Sequence, residues 1–232
     1  MPVFRLTDDL VFPNPKYADS GGLLAVGGDL SPERLLLAYE KGIFPWYSDD
    51  TPVLWWSPDP RLVLFPDELK VSHSLKRVIR KKTFAVTVDR AFREVIEACA
   101  QVRSSSGEGT WITREMIAAY VRLHELGFAH SIESWQAGEL AGGLYGVSLG
   151  LAFFGESMFI RKTDASKVAL VSLVELLRSL GFHFIDCQTT TAHLMRFGAR
   201  EIPRAEFLAR LAKALEGGVK SYGLAESIKR QQ

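Results

Sequence analysis

The chain has 232 residues, 47% of them hydrophobic and 24% charged, so it can bury a full core and reads as a soluble globular protein. No run approaches the roughly 18 apolar residues of a membrane span, and the N-terminus shows no secretion signal, so we expect a cytoplasmic protein without a membrane partner. The net charge of +1 neither requires nor excludes a nucleic-acid partner, and two distant cysteines and five histidines without ligand spacing argue against a metal site.

The first sixty residues are rich in turn-formers and aromatic residues and predict a small N-terminal α/β domain, residues 1–62. One helix is well marked there, with Ser31 as N-cap, Pro32 at the first position and Gly42 as the stop. The glycines of GGLLAVGGDL do not follow the spacing GxGxxG, so the sequence does not predict a nucleotide-binding loop.

Regular elements follow from about Arg61. In chain order we predict a strand at RLVLF, a basic helix at SHSLKRVIRKK, a strand at 84–88, a helix capped by Asp89, a helix at 113–126, three hairpin-joined strands at 129–159, a helix at 165–180, a strand at FHFIDC and a helix at 204–216. The fold class is therefore α+β, with a second domain at 63–232.

The order of these elements resembles that of the acyl-CoA N-acyltransferase (GNAT) fold, which suggests a GNAT-like second domain. Acetyltransferases of that fold hold the pyrophosphate of coenzyme A with a glycine-containing loop before the crossover helix. Here the corresponding segment reads RKTDASK, residues 161–167, without glycine in the required position. Backbone amides wrap phosphate closely only where side chains stay out of the way, so a coenzyme A enzyme becomes the weaker alternative.

The strand FHFIDCQ ends in a carboxylate and an amide, which are unusual in a strand interior. Strand periodicity predicts that Asp186 and Gln188 point to one face and Cys187 to the other. The pair could position a reacting group, or it could simply cap the turn that follows. Glu156, in GESMF, raises the same question, since an edge-strand carboxylate facing solvent is its plainer explanation.

Eight short motifs together resemble one family. They are GIFPW (42–46), WWSPDPR (55–61), GTWIT (109–113), AHSIE (129–133), GGLYGV (142–147), GESMF (155–159), ASK (165–167) and DCQ (186–188). As a set, in order over about residues 12–216, they look like the leucyl/phenylalanyl-tRNA protein transferases. The resemblance implies transfer of Leu or Phe, with Met as a further candidate, from aminoacyl-tRNA to the N-terminal Arg or Lys of proteins, which marks them for N-degron degradation. It implies no cofactor and no metal, and we expect a monomer.

The resemblance also implies roles for individual residues. Asp186 would hold and polarise Gln188, whose amide oxygen would accept a hydrogen bond from the attacking amine. Glu156 would meet the positive charge of the acceptor. The residues implied to frame the 3′ adenosine are aromatic and are Trp46, Trp111, Tyr39 and Tyr120.

A Leu or Phe donor requires an apolar pocket that senses shape. Its candidate residues come from the hairpin strands and the crossover helix, and each could equally be ordinary core: Leu144, Phe153, Met158, Leu170 and Leu173.

A basic run offers five positive charges within seven residues: Lys76, Arg77, Arg80, Lys81 and Lys82. Such runs are usually solvated faces, but an RNA donor favours a role in holding its phosphate backbone. Two alternatives from other classes remain: an adaptor that binds basic N-termini without catalysis, and the coenzyme A-dependent N-acetyltransferase.

Overall fold

The computed structural model describes residues 3–105 and 111–218, which form two β-sheets surrounded by helices. The first sheet contains β1 (Phe4–Leu6), β2 (Leu23–Gly27), β3 (Phe44–Pro45) and β4 (Leu54–Trp56), with helix α1 (Pro32–Glu40) between β2 and β3. Its strand order is β1-β2-β4-β3, and β1 runs parallel to β2. The Ser31 hydroxyl accepts the Arg34 N–H and Gly42 has a φ of 71°, which confirms the predicted start and stop of α1.

The second sheet and its helices occupy the rest of the described chain. The elements are β5 (Arg61–Leu64), α2 (His73–Arg80), β6 (Ala85–Val88), α3 (Phe92–Ser105), α4 (Arg114–Glu125), β7 (Ala129–Gln136), β8 (Glu139–Leu149), β9 (Ala152–Ile160), α5 (Ala165–Ser179), β10 (Phe184–Gln188), α6 (Ala192–Met195), β11 (Arg200–Ile202) and α7 (Arg204–Ala214).

The seven strands of this sheet lie in the order β11-β5-β10-β9-β8-β7-β6. All neighbouring pairs are antiparallel except β9 and β10, which α5 connects as a parallel pair. Helices α3, α4 and α7 cover one face and share a core with the first sheet, while α5 and α2 cover the other face. The central strands are therefore buried on both faces. Within the described residues, no helix combines the length and the apolar character that crossing a bilayer requires.

Two features differ from expectation. Asp89 does not cap α3: it has a φ of 56°, and its carboxylate accepts the Ser131 N–H and bonds to His130 Nδ1 at 2.7 Å. Glu133 instead accepts the Ala91 N–H at the start of that helix. The short elements β1 to β4, α6 and β11, of two to five residues each, were not predicted.

Candidate functional site

A cavity of about 610 Å³ lies between the two sheets and the N-terminal half of α5. Its walls come from β3, β8, β9, α5, β10 and the segment that follows β10. The residues predicted from sequence that line it are Trp46, Trp111, Leu144, Glu156, Met158, Leu170, Leu173 and Gln188. Elements far apart in sequence thus bring eight of the candidates around one space.

Two β-bulges shape the polar end of this cavity. On β9, Ser157 pairs with Tyr145 and Gly155 pairs with Gly146, so Glu156 is an extra residue in the ladder. On β10, Asp186 pairs with Val63 while Gln188 pairs with Leu62, the next residue of β5, so Cys187 is extra. A bulge breaks the alternation of side chains and re-aims the residues beside it.

The bulge on β10 overturns the prediction for the DCQ segment. Gln188 has a φ of 62°, in the left-handed region, and both Gln188 and Cys187 line the cavity, whereas Asp186 is fully buried behind it. The expected shared face of Asp186 and Gln188 is therefore wrong. Burial raises the pKa of the Cys187 thiol, which keeps it protonated and unsuited to nucleophilic attack.

Asp186 bonds to the backbone of Gln188 rather than to its side chain. Its Oδ1 accepts the Gln188 N–H at 2.9 Å and the Arg61 Nε–H at 2.8 Å, and its Oδ2 accepts from Arg61 Nη2 at 2.6 Å. Arg61 is almost fully buried, with its guanidinium carbon 4.8 Å from the ring centre of Phe44 and 4.5 Å from that of Phe207. The expected contact between the Asp186 carboxylate and the side-chain amide of Gln188 is thus absent.

Glu156 is the residue that holds the side chain of Gln188. Gln188 Nε2 donates to Glu156 Oε1 at 2.8 Å, which leaves the Gln188 amide oxygen without a donor among the described residues. Tyr39 donates to the same Oε1 at 2.8 Å, and Tyr120 donates to Oε2 at 3.2 Å. The hydroxyls of Tyr39 and Tyr120 also contact each other.

Burial dominates the charge state of this cluster. It raises the pKa of Glu156 from 4.5 to about 7, although the hydrogen bonds from Tyr39, Gln188 and Tyr120 act to lower it. Burial, followed by the nearby Glu156 charge, raises the pKa of both Tyr39 and Tyr120 well above the ordinary value, so both hydroxyls remain donors. In this cluster the Glu156 carboxyl changes charge near neutral pH, and it holds the side-chain amide of Gln188 in place.

Three predicted ligand-contacting residues do not line the cavity. Tyr39 and Tyr120 are fully buried and face Glu156 from α1 and α4. Phe153 packs in the core on the face of the sheet that α5 covers, next to Gly146. Sequence alone could not separate these residues from the wall. Tyr39 and Tyr120 are placed by their contact with Glu156, which is distant in sequence, and Phe153 lies on a bulged strand, whose side chains do not alternate regularly.

The rest of the wall is largely apolar. Leu144 and Met158 come from neighbouring strands, and Leu170 and Leu173 come from α5 across the space. Trp46 is 42% exposed and packs against Trp56 at 5.8 Å between ring centres, so one indole reaches both the cavity and solvent. Trp111 also lines the cavity and is half-buried; Gly109 and Thr110 of its motif lie outside the described residues.

The basic run extends from α2 to Lys82, and all five of its charged side chains are exposed: Lys76, Arg77, Arg80, Lys81 and Lys82. Leu75 is buried on the opposite side of the helix, and Val78 and Ile79 are half-buried. The helix therefore presents its charges to solvent, beside α5.

Sequence reasoning missed two residues of the site. Arg61, the last residue of WWSPDPR, is one of them. A buried strand carboxylate such as Asp186 requires a cation or several donors, and that requirement was a usable signal for a buried arginine. His193 lines the cavity, and burial together with Lys167 and Arg196 lowers its pKa, so it is mainly neutral at pH 7. No spacing in the sequence pointed to His193.

Comparisons match this chain to two family models, to relatives of high identity and, more weakly, to solved structures. The family model described as leucyl/phenylalanyl-tRNA protein transferase matches residues 63–212, and the model for the N-terminal domain of that family matches residues 28–59. A leucyl/phenylalanyl-tRNA protein transferase from Syntrophobacter fumaroxidans is 67% identical over 92% of this chain and 91% of its own length. One from Anaeromyxobacter dehalogenans is 62% identical over 93% of both. The solved structure of L-PGS from Bacillus licheniformis aligns with a TM-score of 0.38 at 11% identity, over 89% of this chain and 64% of that one.

Proposed function

We propose, since the chain belongs to the leucyl/phenylalanyl-tRNA protein transferase family, that it transfers a leucyl or phenylalanyl residue from aminoacyl-tRNA to the N-terminus of a protein. The observation that carries this proposal is the cavity itself, an apolar space that ends at the carboxyl of Glu156 and at the amide oxygen of Gln188, which accepts no hydrogen bond from the described residues. Such a space suits an apolar aminoacyl side chain next to a point where an amine is received.

In this reaction the acceptor's α-amine attacks the ester carbonyl of the aminoacyl-tRNA. An N–C bond forms, the bond from the carbonyl carbon to the ribose oxygen breaks, one proton leaves the amine, and the ribose oxygen takes up a proton. The Gln188 amide oxygen accepts a hydrogen bond from the amine and aims its lone pair at the carbonyl. A neutral amide is too weak a base to keep the proton, so Gln188 orients the amine and the ribose hydroxyl relays the proton.

Glu156 contributes to the choice of acceptor. Its ionised form places a negative charge beside Gln188 at the cavity wall, which favours an acceptor whose first residue is Arg or Lys. A Glu156→Gln variant should lose part of its preference for Arg-ended and Lys-ended peptides over neutral ones. Unchanged discrimination would remove Glu156 from acceptor selection.

The aminoacyl side chain of the donor packs against the apolar wall, and its terminal adenosine packs against the two indoles. Met158 adapts to branched and flat side chains, and the leucine side chains that face it from α5 and β8 close the space around Leu or Phe. Trp46 and Trp111 offer flat faces to the terminal adenine. The exposed charges of α2 hold the phosphate backbone of the tRNA, which requires no base sequence.

The same proposal covers the organisation of the chain. The parallel β9–β10 pair connected by α5 supports a GNAT-like second domain, and the two sheets support a division at about residue 62, although Arg61 and Leu62 already belong to β5. We expect the chain to act as a monomer. Because aminoacyl-tRNA is a substrate of translation, we expect the reaction to take place in the cytoplasm. From membership of the family, we expect the added residue to mark the product for degradation.

The test compares transfer of Phe from Phe-tRNA to an Arg-ended peptide by wild type, Gln188→Ala and Gln188→Glu. Loss of the oriented amide should lower kcat by on the order of 100-fold. Gln136→Ala, a half-buried glutamine at the end of β7, is the matched control and should retain wild-type turnover. Near wild-type kcat in both Gln188 variants would exclude it from the reaction, and absence of transfer by wild type would reject the function.

A further inference from the structure

Among the ion pairs of the described residues, the pair of Arg61 with Asp186 is the most completely buried, and it lies next to Gln188 in the site. Both partners are almost fully buried, and the guanidinium lies between one ring from the first sheet, Phe44, and one from α7, Phe207. Two parallel N–H groups of Arg61 meet the two oxygens of Asp186 at 2.8 and 2.6 Å. This fork fixes the plane of the Asp186 carboxylate, because a planar guanidinium bonded twice cannot rotate.

The orientation of that carboxylate determines the backbone of Gln188. Oδ1 of Asp186, already held by Arg61, accepts the Gln188 N–H at 2.9 Å across the bulge. Gln188 at the same time adopts a φ of 62°, which a residue with a Cβ rarely adopts unless its surroundings enforce it. Released from Asp186, Gln188 would favour an extended backbone, and its side chain would turn away from Glu156.

We infer that Arg61 is a positioning residue for the transfer reaction, acting through Asp186 to set the left-handed backbone of Gln188 and thereby the direction of its amide oxygen. The inference rests on the proposed function for the reaction that it serves. It assigns Asp186 to holding the Gln188 main chain, since neither Asp186 oxygen bonds to the amide side chain and Asp186 does not line the cavity.

Stability alone does not account for this pair. A buried ion pair is often no better for folding than apolar residues of similar volume. Here Arg61 Nη1 is also buried without a hydrogen-bond partner among the described residues, which is a cost to the folded state. What the pair does provide is a fixed acceptor for one backbone N–H next to the reacting amine.

The test uses Arg61→Lys, which keeps the charge but cannot form two parallel bonds. Arg34→Lys is the matched control: Arg34 is equally buried and ion-paired to Asp29, but it ties down the carbonyls of residues 7–9 and has no contact with the site. With Phe-tRNA and an Arg-ended peptide, we expect Arg61→Lys to lower kcat by about tenfold or more while each KM changes by less than about threefold. Arg34→Lys should lower Tm and leave kcat per folded molecule within about twofold of wild type.

A second readout follows Gln188 directly. The chain has five glutamines, so selective ¹⁵N labelling of glutamine side chains gives few NMR signals, and Gln188→Ala assigns the one of interest. Arg61→Lys should move the Gln188 amide signal toward the position of a solvated amide, and Arg34→Lys should leave it in place. An unmoved signal together with wild-type kcat in folded Arg61→Lys would overturn the inference.

The NMR arm also separates this inference from the proposed function. If wild type transfers no residue, the function fails, yet a displaced Gln188 signal in Arg61→Lys still supports the positioning, and an unmoved signal still refutes it. If Arg61→Lys does not fold, the neutral pair Arg61→Met with Asp186→Asn avoids an unpaired buried charge. That folded double variant should have low kcat and a displaced signal, and wild-type values of both would overturn the inference.

Discussion

Replacement of Glu156 by Gln should change how the stability of the protein depends on pH. In the folded chain burial raises the pKa of Glu156 from 4.5 to about 7. Between those two values the folded state holds a proton that the unfolded state has released. Its contribution to stability is therefore complete below about pH 4.5 and is lost as the pH rises through about 7.

The size of the effect follows from that difference. Each pKa unit is worth about 1.4 kcal/mol, so the full contribution is about 3 kcal/mol, of which about 2.5 kcal/mol is lost between pH 5 and pH 8. Glutamine at position 156 does not titrate. Its own hydrogen bonds, to Tyr39 and Gln188, change stability by the same amount at every pH and cancel from the comparison.

The assay is urea unfolding of wild type and Glu156→Gln at about pH 5 and about pH 8. The wild-type free energy of unfolding, relative to that of the variant, should be about 2.5 kcal/mol lower at the higher pH. Tyr39→Phe removes the strongest of the hydrogen bonds that lower this pKa, so the loss should then extend to higher pH. An equal difference between wild type and Glu156→Gln at both pH values would refute the raised pKa of the buried carboxyl.

Three further predictions follow from packing and charge. Gly146→Ala should destabilise the protein by about 3 kcal/mol, because a Cβ there would overlap a backbone carbonyl of the neighbouring strand. Gly138→Ala, in an open turn with a φ of 81°, should cost only about 1 kcal/mol. Thermal unfolding of both variants measures the two losses. Trp46→Ala should raise KM for Phe-tRNA by about tenfold with a smaller change in kcat, and an unchanged KM would remove this indole from donor binding. Joint replacement of Lys81 and Lys82 by Ala should lower the slope of log affinity for Phe-tRNA against log salt by about 1 to 2, and an unaffected slope would show that these charges do not contact the tRNA.

The larger elements could be predicted from sequence because their signals are local. Thr113 as N-cap and Gly127 as the stop mark both ends of α4, and the three hairpin strands alternate or run apolar over eight or more residues. The candidate site was located for a related reason, since Glu156 and Gln188 are polar residues at positions where a strand would normally be apolar.

The details of the site depend on partners distant in sequence, and local patterns do not contain them. A bulge is defined by the neighbouring strand, so the extra residues Glu156 and Cys187 could not be recognised from β9 or β10 alone. Arg61 lies 125 positions from Asp186, and only the β5–β10 pairing brings them together. The same reason explains why Tyr39, predicted at the adenosine, lies behind Glu156 instead.

The central claim is that this chain forms a peptide bond between an aminoacyl group carried on tRNA and a basic N-terminus. Its most direct test is the intact mass of an Arg-ended protein after incubation with the enzyme and labelled Phe-tRNA. The account predicts a gain of one phenylalanyl residue at the N-terminus, absent when the acceptor begins with a neutral residue. An unchanged mass in the presence of folded enzyme and intact Phe-tRNA would contradict it.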